Sequence, residues 1–451
     1  MHTTPRAGWG DFLAIGFGTA VAMWTVGYIC RLPGVHVPPV VLFITLIAVL
    51  LAGGLLAGRH SPRGVAGAAL AGLITGLINL LVLGSLLSHP EQGTILPTML
   101  LWLPGSIAAT VAVCVVGGVI GNSLRPRTGP AAPPVNWSFA FACVAALATL
   151  VLLSVGGTVT GFEAGLAVPD WPNSYGHNMF LFPLARMTGG IYYEHAHRLF
   201  GSLVGMTTVV LAVYLGFVER RGWVKWIAVA AVAMVITQGT LGGLRVTGRL
   251  TLSQSADVLS PSTALAVVHG VFGQCFFATL VILAATLSTA WQSPATPRRP
   301  AATHLDLQLG YAALVGLIVQ LTFGALLRHA TWGLLVHVIF AVVVIMLVGA
   351  AALRSWASDE KQTPALAQVG GVTLLLLAMQ LMLGMFALVV VLTEPAGKPS
   401  TLQVLVTTAH QTTGALLLSS SAALVAWRHR LFSHAILSEP TADSTVTATT
   451  G

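Results

Sequence analysis

The chain has 451 residues, of which 55% are hydrophobic and only 8% charged, against roughly 25% charged in soluble globular domains; a membrane protein is implied and a soluble one excluded. Its net charge of +8 comes from basic residues scattered singly or in pairs at segment edges, with no basic stripe interleaved with aromatics, so nucleic acid is not an expected partner. Cys30, Cys114, Cys143 and Cys275 lie in or beside apolar runs without CxxC spacing and suggest neither a zinc site nor a disulfide framework.

In chain order, apolar stretches long enough to cross a bilayer, about 20 residues each, fall at 11–30, 38–57, 64–88, 97–121, 137–158, 196–218, 225–246, 262–288, 305–327, 331–353, 366–392 and 402–426. The first is followed by Arg31-Leu32-Pro33 rather than a small-residue cleavage site, so it reads as an anchor. Backbone polar groups need internal partners in hydrocarbon, and no segment shows the short alternation of a membrane barrel, which leaves helices. The expected fold class is all-α: a polytopic membrane protein of about 12 transmembrane helices. Placing the N-terminus in the cytoplasm puts 14 Lys and Arg residues on inner connections and 7 on outer ones, so both termini are expected there. The proline-rich stretch 125–136 reads as a linker after a four-helix unit at 1–124 whose role is not readable. The small, polar tail 437–451 is expected to be disordered.

The later helices contain a repeat that the histidines reveal. His197 and His269 are 72 residues apart, His337 and His410 are 73 apart, and the pairs are offset by 140 and 141. Gln238-Gly-Thr-Leu-Gly242 and Gln380-Leu-Met-Leu-Gly384 agree at an offset of 142, and His269 and His410 each open an HxxxG. Two pseudo-symmetric four-helix bundles follow, at 137–290 and 305–430, as a parallel repeat. They differ in one outer connection: Gly157 to His197 spans 40 residues but Gly324 to His337 only 13, an insertion of some 27.

Ionisable side chains inside membrane helices are functional candidates. One histidine on each of two neighbouring helices, twice over, suits two imidazoles on opposite faces of a haem, giving the axial pairs His197 with His269 and His337 with His410. A single intramembrane histidine is equally explained as a hydrogen-bonding core residue; four at repeat-matched positions favour ligation over helix bridging or proton relay. His195 competes with His197 but has Leu335 at the repeat offset, and the remaining histidines, His329 among them, read as solvated loop or helix-end residues. Arg198, Arg245 and Arg328 adjoin the expected haem level, where a guanidinium fork suits propionates; interfacial snorkelling is the alternative. Glu194 lies three residues before His197. If the helix has begun by then the two share a face, and the carboxylate could stabilise a developing cation or pass protons; a helix N-terminal acid is the alternative. Its counterpart at the repeat offset is Leu334, and Glu194→Gln is expected to cost little in folding because it keeps the side-chain shape.

The stretch 158–205, with GLAVPDWP in the outer loop and Glu-x-x-His-Arg at Glu194, His197 and Arg198, resembles the signature of the heme A synthase family. With QGTLGGLRV, the HG at His269, the LLRH turn, His337 and His410, the resemblance covers about 137–427. It implies an enzyme that oxidises a ring methyl of haem O to the formyl of haem A for cytochrome oxidase. The first-half pair would meet the substrate haem O, the second-half pair would hold a haem b cofactor, and Glu194 matches the family's catalytically implicated glutamate. Implied partners are a haem O synthase handing over haem O, cytochrome oxidase assembly proteins and membrane lipid; the implied location is a bacterial-type inner (plasma) membrane. Many members carry a cysteine pair in the first outer loop, whereas here Val168 and Asn173 or Ser174 take those places. The rival readings are a bis-His di-haem electron-transfer or haem-handling protein without macrocycle chemistry, and a haem or solute transporter.

Overall fold

The computed structural model describes residues 8–86, 97–126, 134–247, 262–293, 304–357, 364–394 and 397–438. Thirteen helices form among them: α1 (Gly10–Cys30), α2 (Pro39–His60), α3 (Val65–Leu86), α4 (Met99–Ser123), α5 (Trp137–Gly161), α6 (Gly189–Val218), α7 (Gly222–Val246), α8 (Thr263–Leu287), the short α9 (Thr289–Gln292), α10 (His304–Ala330), α11 (Leu334–Trp356), α12 (Pro364–Thr393) and α13 (Thr401–Ser438). Eleven of them are long and apolar enough to cross a membrane. The protein is an all-α, multi-pass membrane protein. The twelfth long helix is α13, whose middle carries His410-Gln411-Thr412-Thr413. It packs against α12, α8 and α5, so polar residues that dilute its hydropathy sit between helices. The stretch 439–451, most of the tail expected to be disordered, lies outside the described residues, as do 127–133 of the linker.

Helix starts follow local chemistry. Asn136 caps α5 by accepting from Phe139 N at 3.1 Å, and Ser262 caps α8 by accepting from Leu265 N at 3.2 Å, each satisfying a backbone donor that the first turn leaves over. Because long helices joined by short connections alternate in direction, the ends of α1, α3, α5 and α7 gather with the starts of α6, α8, α11 and α13. This end carries the loop 162–188 and is called the loop end below.

The first half packs α5 against α6 and α8, and α7 against both α6 and α8; the second half packs α10, α11, α12 and α13 in the same cyclic way. The halves meet where α13 and α10 lie on α8 and α13 lies on α5. In the N-terminal unit, α2 and α4 approach closely through Gly54 and Gly58 of α2 and Gly117 and Gly121 of α4. A methyl at Gly54 would sit 2.0 Å from the Cys114 carbonyl oxygen, and one at Gly121 2.1 Å from that of Leu55, the close backbone contact that small-xxx-small spacing permits. One buried cluster runs from α1 (Leu13, Phe17, Trp24) into the first half (Phe141, Phe200, Leu203).

At the end opposite the loop, Asp306 of α10 is paired with Arg354 of α11 at 2.6 Å and Arg428 of α13 at 2.8 Å, and Arg428 is only 2% exposed. Charges taken out of water need such partners, and this trio ties three helices of the second half together.

Candidate functional site

Each of the four repeat-matched histidines projects from one helix against a glycine of the helix before it. A methyl at Gly156 of α5 would sit 3.0 Å from Cε1 of His197, at Gly242 of α7 3.4 Å from that of His269, at Gly324 of α10 3.1 Å from that of His337, and at Gly384 of α12 2.9 Å from that of His410. The glycines make room for the rings. Three of these helices carry a glutamine one turn earlier. Gln238 and Gln320 donate through Nε2 to the backbone carbonyls of His269 and His337, at 3.0 and 2.9 Å, and the Gln380 amide lies 3.3 Å from Nε2 of His410. On α5 that position is Leu152.

The sequence comparison aligned Gly157 with Gly324, and the structure corrects this by one residue. Gly156 receives the histidine, whereas a methyl at Gly157 would meet Thr408 of α13 at 2.6 Å. One residue turns the helix by about 100°, so the two neighbouring glycines serve two different helices.

The rings come together in the expected pairs. His197 and His269 have centroids 6.4 Å apart at 76°, and His337 and His410 have centroids 6.4 Å apart at 80°. Two imidazoles bound on opposite sides of one iron, each through a nitrogen at about 2 Å, hold their ring centres roughly this far apart. Among the described residues no group of three or more His, Cys, Asp or Glu side chains forms. Each pair thus offers two ligands, the number a macrocycle leaves to the protein.

The surroundings also fit a haem. Nε of Arg245 and Nη2 of Arg328 are buried without a hydrogen-bond partner, and leaving such donors unmet costs about 1–3 kcal/mol each. A ligand with carboxylates would meet the two guanidinium groups. Arg245 lies beside Gly165 of the loop, and Arg328 lies beside Gly161 while donating to Thr407 Oγ1 at 2.7 Å. His329, taken from sequence as solvated, has Arg245, Arg328 and His269 as electrostatic neighbours. The only signal for it was its place directly after Arg328.

Arg198 is engaged differently from Arg245 and Arg328. Helix α6 begins at Gly189, earlier than its apolar run, so Glu194 and Arg198 sit one turn apart inside it, joined at 2.7 Å. Arg198 also donates to the loop carbonyls of Val168, Asp170 and Asn173 at 2.7, 2.7 and 2.9 Å, and the other oxygen of Glu194 accepts from Val168 N at 2.9 Å. The pair therefore clamps the GLAVPDWP segment to α6. His195 turns to the same loop: its Nδ1 is 3.1 Å from Ser174 Oγ, and its ring packs on Phe182. Val168 and Ser174, at or beside the places of the resembled family's loop cysteines, are thus both buried under this clamp.

The loop is itself ordered. Asn173–Ser174 pairs with His177–Asn178 as a hairpin, and its turn residues Tyr175 and Gly176 have φ of 51° and 77°. The Asp170 carboxylate accepts both of their backbone N–H groups, at 2.7 and 2.8 Å. Trp171 lies flat on Gly243 of α7, where a methyl would come within 2.5 Å of the indole.

Residues 138–338 match the family model of the cytochrome oxidase assembly protein, COX15-CtaA. The match bears out, over these residues, the resemblance to the heme A synthase family read from the sequence, and supports a role in cytochrome oxidase assembly. The COX15-CtaA segment contains Glu194, His197, Arg198, Arg245, His269, Arg328 and His337 and ends before His410, which joins the site through the repeat and the geometry of its pair. No curated protein matches the chain.

Proposed function

We propose that this protein is a membrane oxidoreductase that converts haem O to haem A, oxidising a ring methyl to a formyl group, at the His197–His269 pair. The observation that carries this reading is the asymmetry between two otherwise equal histidine pairs: both have centroids 6.4 Å apart, but among the described residues only the first lies under a clamped loop with a carboxylate one turn before its histidine. A resident group needs only to be held, whereas a substrate must enter, be shielded from water and leave, which favours a shaped cover over the reacting site.

His197 and His269 would hold the substrate iron, and Arg245 and Arg328 would receive its propionates. Glu194 lies one turn before His197 on α6, where its charge is available to stabilise positive charge developing on the macrocycle. Arg198 pairs with that carboxylate in a buried setting and keeps the loop seated. His337 and His410 would hold a resident haem b, which supplies a one-electron redox centre when bound. Handover from a haem O synthase, a bacterial-type plasma membrane and cytoplasmic termini complete the proposal.

The test is the haem extracted from cells that co-express the protein with a haem O source. Haem A or its alcohol precursor is expected from wild type and neither from His197→Ala. Recovery of only unmodified haem O and haem b, with the protein folded and loaded, would leave the di-haem electron-transfer reading in its place.

A further inference from the structure

The N-terminal helices lie outside the matched segment, and their packing is specific. Helix α1 runs along α5 and α6: Phe17 meets Phe141, Trp24 stands edge-on to Phe200, and Tyr28 stacks on Tyr192 with centroids 5.5 Å apart at 16°. Tyr28 then joins the two core helices. Thr158 already donates its hydroxyl proton to the Val155 carbonyl at 2.7 Å, so in the 2.8 Å contact between Tyr28 and Thr158 the tyrosine donates. Tyr192 in turn donates to the Tyr28 carbonyl at 2.6 Å. Thr158 stands two residues after Gly156, which receives the His197 ring, and Tyr192 two residues before Glu194. One residue of α1 thus bridges α5 and α6 at the level where His197 is lodged.

A second contact reaches the loop. Ser85, near the end of α3, donates to the Phe180 carbonyl at 3.1 Å, and Gly84 lies against the same carbonyl so closely that a methyl would come within 2.6 Å. Phe182, two residues further, packs on His195 and Tyr175. A third patch joins Tyr28 and Leu32 to Phe162, Ala164, Met187 and Tyr192, where the loop leaves α5 and enters α6.

We propose that the N-terminal four helices are a positioning element for the first histidine site: Tyr28 sets the α5–α6 spacing around His197, and Gly84 with Ser85 holds the outer loop at Phe180. The inference rests on the reading of His197 and His269 as the substrate pair. Tyr28 acts through Thr158 and Tyr192 and is a positioning residue. Apolar contacts of α1 also reach the opposite end, where Trp9 packs on Tyr214 and Phe217, but the hydrogen bonds of Tyr28 and Ser85 fall at the level of His197 and the loop, where an extension that only added lipid-facing surface would not need them.

The experiment uses the full chain in lipid, as wild type, Tyr28→Phe, Gly84→Ala and the control Val116→Ala, a lipid-exposed residue of α4. Tyr28→Phe keeps the ring stack and removes the hydroxyl. Hydrogen exchange across 162–188 is measured without haem, and the low-spin electron paramagnetic signal of each histidine pair is measured with it. The expected result for Gly84→Ala is roughly tenfold faster exchange at 179–182, the size a lost hydrogen bond gives, with Val116→Ala unchanged. Tyr28→Phe should shift the His197–His269 signal and leave the His337–His410 signal in place. Unchanged exchange and unchanged signals in both variants would overturn the proposal, as would equal disturbance of the two pairs, which marks general destabilisation. Altered exchange in a protein whose first pair never takes up haem would support the mechanical link and overturn the substrate-site reading instead.

Discussion

The two halves hold their histidines in one geometry and surround them in two ways. In the second half, residues 331–333 join α10 to α11, with Thr331 and Gly333 at positive φ to make the turn. In the first half, residues 162–188 join α5 to α6 as an ordered loop clamped by Glu194, His195 and Arg198. At the repeat offset the second half has Leu334, Leu335 and Val338, none of which can ionise. The glutamines differ too. Gln320 and Gln380 approach the His337 and His410 rings at 3.2 and 3.3 Å, whereas in the first half Gln238 donates to the His269 carbonyl and α5 carries Leu152 in the glutamine's place. The second half braces its rings internally; the first invests in what lies above them. That division fits the proposal of a resident group in the second half and an exchangeable one in the first.

The largest expected effect separates the pairs outright. His337→Ala or His410→Ala should abolish the absorbance of the bound low-spin haem, and His197→Ala or His269→Ala should leave that absorbance and stop conversion of haem O. Spectra and haem extracts of the four variants check this. A full resident spectrum in both second-half variants would remove that pair as its ligands.

Next comes the clamp, where the structure changes an expectation. Glu194→Gln was expected to fold at little cost because it keeps the shape, but both carboxylate oxygens are engaged, one by Arg198 and one by Val168 N. The amide would turn a donor toward one of these donors and leave a buried guanidinium unpaired, and breaking a buried pair costs about 3–5 kcal/mol. The single variant should therefore loosen the loop as well as stop turnover. Comparison with Arg198→Met separates the roles, because that change removes the loop bonds to Val168, Asp170 and Asn173 and keeps the carboxylate. If Glu194 serves only as a clamp, Arg198→Met, which loosens the loop more, should lose at least as much turnover; if its charge acts on the substrate, Glu194→Gln should lose more turnover for a smaller loss of loop protection. Thermal stability and haem A yield across the double-mutant cycle of the two changes measure the coupling.

How legible this was differs along the chain. The helices could be read because a bilayer demands long apolar runs, and the histidine pairs because a repeat keeps its spacing. The clamp could not be read, since it joins α6 to backbone carbonyls of a loop whose path no periodicity encodes. The start of α6 was placed late because Glu194 and His195 break the apolar run, although within the fold Glu194 is paired with Arg198. His329 was passed over because nothing in its spacing shows that the end of α10 comes near Arg245 and His269. The shift from Gly157 to Gly156 is of the same kind: both are small, and only packing shows which of them faces α6.

A smaller effect is expected beneath the loop. Gly243→Ala puts a methyl into the face of Trp171 and should lift that residue without touching either histidine pair. Overpacking of this sort costs about 1–3 kcal/mol, taken here mainly from the seating of the loop. Haem A yield should fall severalfold while the resident haem spectrum stays as in wild type. An unchanged yield would show that Trp171 need not lie on α7 for turnover.

The smallest expected effect probes the position that is glutamine on three helices and Leu152 on α5. Gln320 donates to a carbonyl inside α11, and such a carbonyl also serves the helix's own ladder, so Gln320→Leu strands no acceptor. The loss should be that of one ordinary hydrogen bond, about 0.5–1.5 kcal/mol, together with the contact to the His337 ring. Groups that hydrogen-bond a metal-ligating imidazole tune its basicity, so the midpoint potential of the resident haem should move while haem content and turnover stay close to wild type. Leu152→Gln is the reciprocal change. It would place an amide one turn before Gly156, toward His197, making the first site resemble the second. If glutamine bracing belongs to holding a resident haem, this variant should retain substrate longer and slow product release. If it is only packing, Leu152→Gln should leave release unchanged and lower stability slightly, because its amide would lie where a leucine now packs.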